Sequence, residues 1–224
     1  MSARWSLIFD ADGTLVDSEP LLAKELAITF EKLGLPFTAD DYMLHNRGVA
    51  FPFILDKLEQ EHGRKVEDQA TRDQLEQEMR SNLEKRMERE LGPIDGIKEA
   101  LAELADYPRC VATNGPLRKV QLSMRLSGLA PWFGDRLFSA YEVGIWKPDP
   151  GLFLHAAKAL GTAPEHCIVI DDASVGLSSG MAAGMHVIHI NRFSEREKTL
   201  EGAWEIHEMS ELPATVEKII AAHS

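Results

Sequence analysis

What this chain has little of narrows its class first. It holds two cysteines, Cys110 and Cys167, each embedded in an apolar run (Cys110-Val111-Ala112 and Cys167-Ile168-Val169-Ile170). Buried structural thiols are the expectation at such positions, and a disulfide scaffold is not supported. No apolar run reaches membrane length, and the first one is interrupted at Asp10 before it could serve as a secretion signal. The expectation is a cytoplasmic protein with no membrane partner. Positive charge is scarce, with 24 Lys and Arg against 36 Asp and Glu and a formal net charge of −12. That balance argues against nucleic acid, whose partners present basic surface. An anionic small molecule remains open, because local lysines, backbone N–H groups and a cation decide its binding. Internal repeats and low-complexity segments are also lacking.

What is present suits one large domain or a core domain with an insertion: 224 residues, 44% hydrophobic and 27% charged. Strand-like apolar runs occur at 5–9, 109–113, 137–139, 167–170 and 186–190. Helical spacing lies between most of them, as in Ile97, Ala100, Leu101, Leu104, Ala105 and in Leu152, Phe153, Ala156, Ala157, Leu160. The alternation predicts an α/β fold with a Rossmann-like parallel sheet flanked by helices.

The stretch from Phe9 to Arg109 breaks that rhythm, since a simple crossover needs only about a dozen residues. Helices are predicted at 19–34, 50–62 and 67–91. The last has Leu75, Met79, Leu83, Met87 and Leu91 four apart and a charged remainder read as a solvated face. Residues 19–91 are therefore predicted to form a small helical domain inserted into a core of 1–18 and 92–224. Residues 192–202 read as a polar surface loop before a last helix near 212–222.

Four strand ends carry polar groups where ligands bind in open α/β sheets. The first is Asp10-Ala11-Asp12-Gly13-Thr14, two carboxylates on the same side of an extended segment. Held that close, they require a cation or a shared proton; a solvated Asp-Gly turn is the alternative. The second, Thr113-Asn114-Gly115-Pro116, offers a hydroxyl and backbone N–H groups before a helix, either an anion site or an ordinary helix cap. The third is Lys147 between Trp146 and Pro148, with Pro150 beyond, where prolines limit the backbone around the ammonium. The fourth ends Ile168-Val169-Ile170 in Asp171-Asp172, followed by Gly176, Gly180 and Gly184 in a helix-like stretch expected to pack closely on the sheet. Two acidic pairs at buried strand ends point to a hard cation between them, Mg²⁺ first.

Taken in order, Asp10-x-Asp12-Gly-Thr, Thr113, Lys147-Pro and Asp171-Asp172 resemble the motifs of the haloacid-dehalogenase-like superfamily, in the branch with a helical cap after the first motif. The segments Ala112–Pro116, Leu137–Glu142, Trp146–Pro150 and Phe153–Ala159 bring the likeness nearer to its sugar-phosphate phosphatases and β-phosphoglucomutase-like members. The resemblance implies a Mg²⁺-dependent phosphatase acting on a small sugar or sugar-acid phosphate, with Mn²⁺ or Co²⁺ as substitutes. It implies Asp10 as nucleophile and Asp12 as general acid and base. Asp10, the Asp12 carbonyl and Asp172 would hold the metal, with Asp171 beside them. Thr113, Asn114 and Lys147 would hold the phosphoryl oxygens. A small phosphate ester is the implied partner, and a monomer the expected state.

Two departures separate the chain from the mutases. A histidine after the first motif and an arginine in the cap loop are replaced by Leu22 and Phe51. Arg47-Gly48 remains in that loop, with Arg47 a candidate for a substrate carboxylate or a solvated side chain. Lys57 lies in a plain helical pattern and makes a poor Schiff-base lysine. A phospho-aspartate receiver domain, the rival from another class, places its acidic pair and its acceptor on separate strands. Here both carboxylates lie within Asp10-Ala11-Asp12.

Overall fold

The computed structural model describes residues 4–47, 49, 51–65, 68–194 and 198–223. The chain divides into two compact units, Met1–Val16 with Gly92–Ser224, and Asp17–Leu91.

The larger unit starts with β1 (Ser6–Phe9), fully buried as its apolar run requires. The chain then leaves for the smaller unit, which contains α1 (Glu19–Lys32), α2 (Ala39–His45), α3 (Phe51–His62) and α4 (Gln69–Glu90). It returns through α5 (Ile97–Glu103), β2 (Arg109–Thr113), α6 (Leu117–Leu126), α7 (Ala130–Phe133), β3 (Leu137–Ser139) and α8 (Ala140–Val143). After these come α9 (Gly151–Leu160), β4 (Cys167–Asp171), α10 (Ser174–Ala182), β5 (His186–Ile190), β6 (Trp204–Ile206) and α11 (Leu212–Ala222).

Among the described residues the strands form one six-stranded parallel sheet in the order β3-β2-β1-β4-β5-β6. The order reverses direction at β1, and this switch point leaves a crevice at the carboxyl ends of β1 and its neighbours. The runs at 109–113, 137–139 and 186–190 are strands over those spans, and the run at 167–170 extends one residue, to Asp171. One strand was not foreseen. Trp204-Glu205-Ile206 pairs with β5 at the sheet edge, and only Ile206 is buried, so three residues leave no readable period.

One face of the sheet packs on α9 and α10 through Ile8, Ala112, Val169, Leu152, Phe153 and Leu177. Cys110 and Cys167 lie in that core as free, buried thiols. At Gly180 an added Cβ would stand 2.9 Å from Val187 Cγ2 and 3.3 Å from Val169 Cβ, so α10 lies hard against β4 and β5. Gly184 differs from the expectation for that stretch. α10 ends before it, and at φ +72° it forms the left-handed turn into β5, with nothing within 4 Å of an added Cβ.

The smaller unit has its own core of Leu26, Phe30, Phe37, Tyr42, Phe51 and Leu55. Phe30 and Phe51 stack 5.3 Å apart, with rings inclined by 9°. Burying each such side chain contributes about 1.5–3 kcal/mol toward packing these helices against one another. The charged side of α4 is less solvated than its pattern predicts. Arg86 Nε donates to Glu25 Oε1 at 2.6 Å, and Arg72 binds Asp56 and Glu59, of which Glu25 and Glu59 are buried. α4 follows Asp68, whose side chain accepts from the Thr71 amide and caps the helix. Gly48, Ala50 and Glu67, and 195–197 of the expected surface loop, lie outside the described residues. Among the described residues no helix is long and apolar enough to cross a membrane.

Candidate active site

β1 ends at Phe9, and the chain turns at Gly13, whose φ of +81° favours a residue without a Cβ. A side chain there would also collide with a carboxylate, since a Cβ would stand 2.1 Å from Asp172 Oδ2. The turn thus brings the first and fourth motifs together. Thr14 Oγ1 donates to Asp172 Oδ1 at 3.2 Å, closing the contact. The same intimacy recurs at Gly176 in the first turn of α10, where a Cβ would lie 1.8 Å from Asp171 Oδ2.

Asp10, Asp171 and Asp172 are all buried and present carboxylate oxygens within 4.8 Å of one another. Lys147 Nζ enters this group, 2.6 Å from Asp10 Oδ1 and 2.8 Å from Asp171 Oδ2. The second oxygen of Asp171 accepts from the Ala173 amide at 2.9 Å. Burial disfavours the ammonium, but Asp10 and Asp171 outweigh it and hold Lys147 protonated above its ordinary range. Burial also raises the Asp10 carboxyl to about 7; Lys147 opposes the rise, while Asp171 and Asp12 add to it.

Three buried carboxyl groups face one ammonium in a desolvated pocket, so acidic oxygen donors outnumber the cations that balance them. That imbalance, built from hard oxygen donors, fits a divalent cation such as Mg²⁺.

Thr113 ends β2, and its Oγ1 accepts from the Gly115 amide at 3.1 Å, shaping the turn before α6. Ser139, at the end of β3, donates to the Gly115 carbonyl at 2.7 Å and ties that turn to the sheet. Asn114 clamps the lysine segment from both sides. Its Nδ2 donates to the Lys147 carbonyl at 3.2 Å, and its Oδ1 accepts from the Lys147 amide at 2.9 Å. Two prolines limit the backbone of this segment, and the amide clamp sets where Lys147 begins. Asp12 lies to one side of the cluster, with Lys119 Nζ 2.8 Å from its Oδ1.

Asp10, Asp12, Thr113, Asn114, Lys147, Asp171 and Asp172 thus all belong to the larger unit; Lys147 joins Asp10, Asp171 and Asn114 directly and Asp172 lies in the same acidic cluster, while Asp12 and Thr113 bond instead to Lys119 and the Gly115 amide. Arg47 belongs to the smaller unit, on the turn after α2, with Nε 4.0 Å from Glu19 Oε2. The sequence placed Thr14 in the first motif without giving it a role, and it did not point to Lys119 or to the Asn114 clamp. Lys119 left one trace there: a lysine in the first turn of a helix, where a cation opposes the helix dipole.

A parallel α/β sheet with a lysine-braced carboxylate cluster at the carboxyl ends of its central strands defines an α/β enzyme whose chemistry runs through carboxylates. The chain belongs to the haloacid dehalogenase-like hydrolase family, whose model matches residues 6–184. It is a phosphatase of that family. The 6-phosphogluconate phosphatase of Escherichia coli (strain K12) is 35% identical over 189 residues, 84% of this chain and 83% of that protein. A haloacid dehalogenase-like protein of unknown function from Agrobacterium tumefaciens str. C58 superposes with a TM-score of 0.81 at 29% identity, covering 97% of this chain and 99% of that one. A family hydrolase from Deinococcus radiodurans R1, solved with bound phosphate and sodium, has a TM-score of 0.77 at 26% identity, covering 98% and 97%.

Proposed function

We propose that the chain hydrolyses the phosphomonoester of a small sugar or sugar-acid phosphate resembling 6-phosphogluconate, through an aspartyl-phosphate on Asp10. The observation that carries this reading is Lys147, whose ammonium joins Asp10 to Asp171 inside a buried acidic cluster. The substrate class rests on the likeness to the 6-phosphogluconate phosphatase.

In this reading an Asp10 oxygen attacks phosphorus as the bond to the leaving oxygen breaks. Asp12 gives its proton to that oxygen and then takes one from the water that cleaves the Asp10–phosphorus bond. Thr113 Oγ1, the Asn114 backbone N–H and the Lys147 ammonium hold the phosphoryl oxygens, where charge builds in the transition state. Asp10, Asp172 and the Asp12 carbonyl would hold Mg²⁺, with Mn²⁺ or Co²⁺ as substitutes, while Asp171 braces Lys147. When bound, the cation supplies positive charge that relieves repulsion between carboxylate and phosphate.

Residues 1–18 and 92–224 then form the catalytic core, and 19–91 the specificity domain, with Arg47 the candidate for a substrate carboxylate. A phosphosugar mutase is the weaker reading. Phe51, at the position of the mutase arginine, is buried against Phe30, and Leu22 packs on the same core. A cytoplasmic monomer completes the proposal, and the free thiols Cys110 and Cys167 suit a reducing compartment.

The test is release of inorganic phosphate from 6-phosphogluconate and a panel of hexose phosphates with Mg²⁺. Activity should vanish with a chelator and in Asp10→Asn, and 6-phosphogluconate should be preferred. Full activity in Asp10→Asn would refute the nucleophile, and equal rates across the panel would refute the narrower substrate.

A further inference from the structure

Asp10 and Asp12 are only two residues apart, yet different lysines hold them. Lys147 serves Asp10 from the loop before α9. Lys119 serves Asp12 from the first turn of α6, with Nζ 2.8 Å from Oδ1. Both partners of the second pair are about a fifth exposed, so the contact is shielded but within reach of a ligand. The location is a poor one for a lysine in helical terms. No acidic residue stands in that first turn, and a cation there faces the positive end of the helix dipole. A surface lysine gains nothing at such a position, whereas one paired with a carboxylate does.

The pair also sorts the two oxygens of Asp12. Oδ1 lies on Lys119, while Oδ2 lies toward the turn after β2. A Cβ at Gly115 would stand 3.6 Å from Asp12 Oδ2 and 3.5 Å from Thr113 Oγ1. Oδ2, the oxygen that the ammonium does not take, thus lies on the side of the turn that carries the hydroxyl proposed to hold the phosphoryl group.

We infer that Lys119 is a positioning residue for proton transfer by Asp12, an inference that rests on the proposed acid and base role of Asp12. By fixing Oδ1, Lys119 orients Oδ2 toward the leaving oxygen. The proton passes from Oδ2 to that oxygen as its bond to phosphorus breaks and the bond from Asp10 forms. In the second step water gives a proton back to Oδ2, its oxygen bonds to phosphorus, and the Asp10–phosphorus bond breaks. Lys119 keeps its own protons throughout.

Leaving-group dependence separates this role from a merely structural one. An alkoxide needs a proton to depart, whereas p-nitrophenolate needs little help. The quantity to compare is kcat/KM, which reports steps up to release of the leaving group, for 6-phosphogluconate and for p-nitrophenyl phosphate. Lys119→Met should lose about tenfold or more on the alkyl ester beyond any loss on the aryl ester, part of the roughly 10²–10⁴-fold that acid–base catalysis supplies. Lys119→Gln, which keeps a polar side chain, should show the same selectivity, and Lys119→Arg should restore the alkyl rate. Equal losses on both esters, or no loss, would overturn the inference. Asp12→Asn serves as the reference. Selective loss there but not in the Lys119 variants defeats the positioning role alone. Its absence in Asp12→Asn defeats the acid–base reading itself.

Discussion

Gly176 and Asp171 are so close that a Cβ on the glycine would stand 1.8 Å from the carboxylate Oδ2. That oxygen is the one 2.8 Å from Lys147 Nζ. A methyl group at position 176 therefore cannot be accommodated without moving the carboxylate that braces the lysine.

Gly176→Ala should accordingly damage activity more than stability. Overpacking costs about 1–3 kcal/mol, whereas a displacement of about 1 Å in a catalytic constellation costs on the order of 10²-fold in rate. Phosphate release and thermal unfolding measured on the same sample check this. A fully active, folded Gly176→Ala would show that Asp171 has another position available.

In the smaller unit, Arg86→Met should leave Glu25 buried without its charge partner. Breaking a buried pair costs about 3–5 kcal/mol, and a value near 3 kcal/mol is expected because Arg86 is itself 18% exposed. Denaturant unfolding should show the loss, and Glu25→Gln in the Arg86→Met background should recover part of it, because the stranded charge is then gone. A fully additive double variant would mean that the two side chains are not energetically coupled.

The contribution of His186 to stability should fall on mild acidification. His186 stands at the start of β5, its ring 4.1 Å from that of His223 and 5.4 Å from Trp5. Burial, then the charges of His223 and His166, lower its pKa, and its contact with the Glu165 backbone only partly opposes them. The unfolded chain binds the proton near the ordinary pH of about 6.5, while the folded chain resists it. The contribution is therefore complete above that value and lost as pH falls toward the lowered folded value. Melting temperature is followed from pH 8 to 5.5 in the wild type and in His186→Phe, which keeps a ring against Trp5; Asp10, whose raised carboxyl pKa acts in the opposite sense, is common to both. The wild type should lose stability relative to the variant below about pH 6.5, and a difference that does not change with pH would refute the His186 contribution.

Much of the core was legible because its signals are local. A run such as Ile168-Val169-Ile170 reads as a buried strand from composition alone, and polar residues at its end stand out against that run. The helix of Leu152, Phe153, Ala156 and Ala157 was equally plain, since a single buried face imposes its period. The edge strand Trp204–Ile206 was not legible, because one buried residue in three imposes none. Nor was the charged face of α4, where Arg72 and Arg86 look solvated until α1 and α3 supply Glu25 and Glu59.

The sequence by itself determined which groups are available: carboxylates at 10, 12, 171 and 172, a hydroxyl at 113 and an ammonium at 147, each at the end of an apolar run or just before a pair of prolines. Those are properties of neighbours in the chain. Only the tertiary structure decided the pairing. Lys147 joins Asp10 to Asp171, Lys119 takes Asp12, Asn114 clamps the lysine backbone, and glycines 13 and 176 make room for Asp172 and Asp171. The reason is physical: an ion pair depends on separation in space, and strands that are distant in sequence become neighbours only when the sheet brings their ends together.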